Sequence, residues 1–217
     1  MFTRPFLIRL AALTAISLLP IPIMATTVPE DAHLDFTVRK DGDVIGHHRI
    51  DLSRNGDIET IAIQTNILVT LAYVPVYRFE HTGRETWRDG HLLSLQSHTN
   101  DDGDKHVVSV SAENDHIAVT GDGVASQASA DIIPASLWNH DLVTQKLLLN
   151  TLTGKQMTVS VADLGDDTIR SHGASTKAHH YKVTGDLERE LWYVPAGTLA
   201  QVKFKAKDNS EILYVLE

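Results

Sequence analysis

Tight-turn signals recur along this chain so often that they constrain its fold more than any other feature. Asp-Gly and Asn-Gly pairs are the strongest short cues for a β-hairpin, because both residues tolerate a positive φ angle. Strands joined by such turns are antiparallel neighbours, so the signals predict an antiparallel meander from about Leu34 to Ala130. They are KDGD at 40–43, RNGD at 54–57, RDGH at 88–91, DDGD at 101–104, END at 113–115, GDG at 121–123 and DNS at 208–210.

Between the turns, apolar residues alternate with polar ones, which is typical of strands that bury one face. In IAIQTNILVTLAY (61–73) the odd positions are strongly apolar. In VYRFEHTGRETWR (76–88) the residues Tyr77, Phe79 and Trp87 share one face. Long strands of this kind curve when one face wraps a core.

One segment, residues 132–155, breaks the alternation. Pro134 is placed to start a helix and Gly154 to close one, and the leucines between them have a partly helical spacing. This pattern predicts one helix over about 135–149, after which strands resume.

The predicted fold is therefore mainly β, a curved antiparallel meander that forms a barrel or half-barrel with one helix. Closure is favoured because it removes exposed strand edges. Since no repeat, linker or low-complexity tract interrupts the chain, we expect a single β-rich domain over 26–217.

Residues 1–25 have the pattern of a signal peptide. Arg4 and Arg9 precede an apolar stretch, prolines end it, and Ala25 is a small residue suited to cleavage. The uncharged stretch from Leu10 to Ile23 is shorter than the roughly 20 residues that a membrane span needs. We therefore expect export with no stable span after cleavage, most simply to a periplasm, although secretion beyond the cell is also compatible.

The composition excludes several classes of partner. The formal net charge is −9, which disfavours nucleic acid or an anionic membrane surface as a partner, since both select basic patches. The chain has no cysteine, so disulfides, thiolate metal ligands and a cysteine nucleophile are absent. Its stability must come from its core.

The stretch HTNDDGDKH (98–106) resembles a cation-binding loop at first sight. An EF-hand alignment fails, because His98 replaces the first carboxylate and Ser109 the bidentate glutamate. A hairpin turn at Asp102–Gly103 is the better interpretation, with His98 and His106 as weak metal candidates.

We expect no cofactor and assign no catalytic residue, because GxSxG, SxxK and HExxH are absent. The sequence leaves an enzymatic role open but favours a non-enzymatic one.

Aromatic residues spread over many strands offer a second possibility. A curved sheet with a long apolar face encloses either a packed core or an apolar ligand. The candidate ligand-lining residues are Tyr73, Tyr77, Phe79, Trp87, Trp138 and Trp192.

Several segments together resemble a family of exported bacterial proteins of unknown function. They are FTVRKDGDVIGHHRI (36–50), VYRFEHTGRETWRDGHLLSLQSHTNDDG (76–103), ASLWN (135–139) and LWYVPAGTLAQVKFKAKDNSEILYVL (191–216). Such proteins are distantly similar to periplasmic lipoprotein carriers, in which a curved antiparallel sheet holds acyl chains. The resemblance implies binding of a lipid or another apolar small molecule.

The leading hypothesis is thus a non-enzymatic periplasmic protein that binds a hydrophobic ligand or an envelope component. The alternatives are a structural or assembly partner with a filled core and, less favoured, a metal-dependent hydrolase. The sequence leaves the oligomeric state open.

Overall fold

A computed structural model describes residues 31–217, which form one sheet of 15 strands. The expected signal peptide, 1–25, lies outside the described residues. The first eight strands are β1 (Asp31–Lys40), β2 (Asp43–Asn55), β3 (Ile58–Leu71), β4 (Val74–Arg88), β5 (His91–Asp101), β6 (Asp104–Ala112), β7 (His116–Gly121) and β8 (Val124–Ser129). The others are β9 (Ile133–Pro134), β10 (Leu147–Leu149), β11 (Gln156–Ser171), β12 (Ala174–Gly185), β13 (Arg189–Tyr193), β14 (Leu199–Lys205) and β15 (Glu211–Leu216).

The strand order is a meander in two halves joined by the pairing of the first and last strands. It runs β8-β7-β6-β5-β4-β3-β2-β1-β15-β14-β13-β12-β11-β10-β9, and all neighbours are antiparallel except the short parallel pair β9 and β10. The sheet is not closed, since β8 and β9 are its edges. The mainly β, half-barrel form of the prediction is confirmed.

The turn signals are confirmed as hairpins. Asp102 and Gly103, for example, have φ angles of 54° and 106° and join β5 to β6. The tight turn between β3 and β4 was not among the predicted ones. Ala72 and Tyr73 join β3 to β4 with φ angles of 48° and 67°, although neither residue favours that conformation.

The predicted helix over 135–149 is wrong. Leu137 has a φ of 69°, which interrupts a right-handed helix, and only His140–Thr144 forms a short 3-10 helix. The residues Leu147–Leu149 pair with β11 as strand β10. Leu148 and Leu149 are both fully buried, so both faces of this short strand are covered.

The core lies where the sheet curves around the segment between β8 and β11. Leu142, Leu148 and Leu149 of this segment are fully buried and belong to the same cluster as Ile61 of β3 and Leu191 of β13. The two halves of the sheet thus share one core, filled by the segment that had been expected to form a helix. Within the described residues, no helix is long and apolar enough to span a membrane.

Candidate functional site

A cleft of about 420 Å³ opens on the concave face of the sheet, beside this core. Its volume lies within the roughly 300–1,000 Å³ that is typical of small-molecule sites. Strands β2, β3, β4, β14 and β15 form its floor. The apolar side chains that line this floor are Ile63, Ile67, Phe79, Val202, Phe204 and Tyr214.

Strand alternation explains why these side chains converge. Successive residues of a strand point to opposite faces, so the odd positions of β3 and β4 face inward together. The register pairs Ile67 with Phe79 and Thr65 with His81, and all four line the cleft. The even positions of both strands, with their charges, face outward.

Loops form the walls of the cleft at residues 135–137, 150–152 and 186–189. The Asn150 Oδ1 atom accepts hydrogen bonds from the backbone N–H groups of Leu152 and Thr153, at 2.8 and 3.1 Å. Asp186 accepts a 2.8 Å hydrogen bond from the backbone N–H of Thr158. These three hydrogen bonds hold the walls in place without any contribution from a ligand.

Two histidines contribute polar atoms to the floor, and both are uncharged at neutral pH. Burial, reinforced by the charge of His81, lowers the pKa of His48 to about 3. Burial lowers the pKa of His81 to about 4. Each Nδ1 atom is hydrogen-bonded to a threonine hydroxyl, at 2.7 Å to Thr65 and 2.8 Å to Thr99. Such weak bases are poor general bases near pH 7, because catalysis favours a pKa close to the working pH.

Arg189 is the one lysine or arginine among the residues that line this cleft in the described part of the chain. Its Cζ atom lies 3.8 Å from the centre of the Phe204 ring, which is a cation–π distance. Burial raises the pKa of the neighbouring Tyr214 to about 12, so its phenol stays protonated. The cleft therefore combines an apolar floor with neutral polar groups, a single cation and two acids, Asp186 and Glu188, at its wall.

Of the predicted lining residues, the structure brings only Tyr77 and Phe79 to the cleft. Tyr73 is fully exposed at the tip of the β3–β4 hairpin. Trp192 is buried on the opposite face of the sheet, where it stacks on His180 at 4.0 Å and donates a 3.0 Å hydrogen bond to Asp167.

The other two predicted residues, Trp87 and Trp138, form a filled cluster with Glu85, here called the tryptophan cluster. The two indole rings meet edge to face at 5.6 Å. Both indole N–H groups donate to the same oxygen, Oε2 of Glu85, at 2.8 and 2.9 Å. The Glu85 side chain is buried and its Oε1 atom has no hydrogen-bond partner among the described residues. Burial raises the pKa of Glu85 above its ordinary value, and the donated hydrogen bonds oppose this shift only in part.

The two histidines that had been considered for a metal do not meet. The register pairs His98 with Val107 and His106 with Thr99, so the two imidazoles lie on opposite faces of the hairpin. His106 instead contacts Asp122 at 2.7 Å. Within residues 31–217, no group of three or more histidine, aspartate or glutamate side chains is arranged to hold a metal ion.

The cleft also holds residues that were not among the predicted lining residues: His48, His81, Arg189, Phe204 and Tyr214. His81 could have been found, because its odd position places it on the same face of β4 as Tyr77 and Phe79. Arg189 could not, since its proximity to Phe204 depends on how β13 and β14 sit against each other in three dimensions.

Residues 36–217 match the family model described as Domain of unknown function (DUF6134). No curated protein matches the chain. The match confirms the expected membership of an uncharacterised family, whereas the similarity to lipoprotein carriers stays an expectation from the sequence.

Proposed function

The chain belongs to this family of unknown function, and we propose that it is a non-enzymatic binding protein whose cleft holds an apolar ligand such as a lipid. The observation that carries the proposal is the cleft of about 420 Å³ with aromatic and aliphatic side chains on its floor. Apolar surface of this kind gains free energy, at about 25 cal/mol per Å², when a ligand removes it from water.

The polar groups of the floor support binding more than catalysis. His48 and His81 are hydrogen-bonded to threonines and uncharged, so they present little charge to an apolar ligand.

Export to a periplasm is the second part of the proposal. It rests on the signal-peptide pattern of residues 1–25 and is checked by cell fractionation of the full chain.

Ligand binding in the cleft is tested by a substitution that fills the cleft with a larger side chain. Ile67 lines the cleft and is half-buried, whereas Leu68, the next residue of the same strand, is exposed on the other face. We expect Ile67→Trp to weaken binding of the uncharged dye Nile red at least about tenfold, and Leu68→Trp to leave it unchanged. Fluorescence titration measures both. Equal binding by the two variants, or no binding by the wild-type protein, would refute an apolar-ligand cleft.

A role in assembly is a second candidate, favoured by the tip of the β3–β4 hairpin. Leu71, Tyr73 and Val74 are 71%, 100% and 60% exposed there, an apolar group of the kind that marks contact sites. A photoreactive amino acid at position 73 would form an adduct with a partner in cells. The same group at Asp102, the neighbouring hairpin tip, is the control. Adducts at both positions or at neither would count against a docking role for the Tyr73 tip.

A further inference from the structure

Arg189 is a half-buried cation whose charge no carboxylate of the described chain balances. The ion pairs formed by lysine and arginine in residues 31–217 involve other side chains; Lys203, for example, pairs with Glu190 at 3.3 Å. A guanidinium has five N–H donors. The one hydrogen bond that this side chain makes runs from Nη1 to the backbone carbonyl of Glu188, at 2.7 Å.

The position of the guanidinium matters as much as its charge. It lies against Phe204 and faces the apolar floor, with Tyr214 also lining the cleft. Burial lowers the pKa of Arg189 below its ordinary value, as expected for a cation that has lost water without gaining an acidic partner. A charge in such surroundings is costly unless it is paired, so the site is suited to an anion supplied by a ligand.

The surroundings also limit the charge of that anion. Asp186 and Glu188 line the cleft at exposed positions, and His48 and His81 are uncharged at neutral pH. A head group with two negative charges would meet one cation and two acids. A carboxylate carries one charge and matches the planar fork of a guanidinium, which binds carboxylates through two parallel hydrogen bonds.

We propose that Arg189 binds the carboxylate of an apolar acid, such as a fatty acid, whose hydrocarbon chain lies over the floor of the cleft. The proposal rests on the proposed function and adds the class of ligand. Phe204 holds the guanidinium in place by stacking, and the aliphatic side chains of Ile63, Ile67 and Val202 contact the chain.

The test compares dodecanoate with its uncharged methyl ester, each displacing Nile red from the wild-type protein. We expect dodecanoate to bind about tenfold more tightly than the ester. Arg189→Gln should abolish this preference, so that the variant binds dodecanoate and its ester with equal affinity. Arg189→Lys should restore part of it, because lysine keeps the charge but not the fork. Arg84→Gln, which removes an exposed arginine from the outer face of β4, should bind both ligands as the wild-type protein does.

The outcomes separate this inference from the function on which it rests. Equal affinity of the wild-type protein for dodecanoate and its ester would overturn the role of Arg189, while Nile red binding would leave the apolar cleft intact. Failure of Nile red and of both ligands would overturn both proposals. Tighter binding of dodecyl phosphate than of dodecanoate would overturn the assignment of a singly charged head group.

Discussion

The inner face of strand β4 passes through two different environments. Tyr77 and Phe79 line the open cleft, whereas Glu85 and Trp87, on the same face of the same strand, are buried in the tryptophan cluster. The alternation of residues is the same at both ends. The difference is the covering segment, since Trp138 lies across Glu85 and Trp87.

This difference shows which part of a curved sheet can become a binding site. Every inward residue of such a sheet is a candidate for a core, and it becomes part of a cleft only where no other segment of the chain covers it. The two ends of β4 should therefore differ in how much a truncated side chain destabilises the protein and in how stability depends on pH.

The largest expected effect is on the packing of the filled end. Trp87→Ala removes a side chain that is 2% exposed, and we expect it to lower the free energy of unfolding by about 3–5 kcal/mol. Phe79→Ala, at the cleft, removes a half-buried ring with fewer contacts to lose, at a cost of about 1 kcal/mol. Urea unfolding followed by circular dichroism measures both variants. Similar losses for the two would contradict the distinction between a filled and an open end.

The buried Glu85 gives the tryptophan cluster a characteristic pH dependence. Because its folded pKa is raised above the ordinary 4.5, the folded state holds the proton more tightly than the unfolded state. Stability is then lost as the pH rises from 4.5 through the raised pKa. Glu85→Gln keeps an acceptor for the two indoles and does not ionise. We expect its free energy of unfolding, relative to wild type, to increase between pH 4.5 and pH 8.

Urea unfolding at several pH values measures this difference. Glu113→Gln, an exchange of an exposed glutamate in the turn between β6 and β7, is the control and should follow the wild-type pH curve more closely. A Glu85→Gln curve parallel to that of the wild-type protein would show that the buried carboxyl does not titrate differently in the two states.

The histidines of the cleft give a pH dependence of the opposite sign. The folded pKa values of His48 and His81, about 3 and 4, lie below the ordinary 6.5. Their contribution to stability is complete above pH 6.5 and is lost as the pH falls below it, because the unfolded state then binds more protons. We expect the double variant His48→Gln/His81→Gln to lose about 3–4 kcal/mol less than the wild-type protein between pH 7 and pH 5.

The matched control is His47→Gln/His98→Gln, which exchanges two exposed histidines on the outer face. Thermal unfolding at both pH values distinguishes the pairs. If both double variants flattened the pH dependence equally, the inward position of His48 and His81 would not be its cause.

Much of the fold could be predicted from the sequence, because its main determinants are local. The Asp-Gly dipeptides determine where hairpins form, as at Asp102–Gly103, and alternation determines which face is buried. The helix prediction for 135–149 failed because Leu147–Leu149 is extended by pairing with β11, a partner that the local pattern does not reveal.

The candidate site was less predictable for the same physical reason. Tyr77 and Trp87 have the same pattern in sequence, and only the course of the covering segment decides that one lines a cleft and the other a core. Arg189 and Phe204 come from different strands, and their stacking depends on packing that no spacing in the sequence encodes.

The smallest expected effect concerns the hairpin turn between β3 and β4, which the turn signals in the sequence did not predict. Ala72 and Tyr73 both have positive φ angles, which are unfavourable for residues with a Cβ atom. Ala72→Asn/Tyr73→Gly installs the preferred residues of such a turn, and we expect it to raise the free energy of unfolding by about 1 kcal/mol. Tyr73→Ser, which removes the exposed ring without relieving the backbone, should not raise it. Since the turn lies beyond Ile67 and Tyr77, the residues of β3 and β4 that line the cleft nearest to it, Nile red affinity should stay unchanged in both variants. A loss of affinity would mean that the tip takes part in binding, so that the open end of β4 extends further than the cleft.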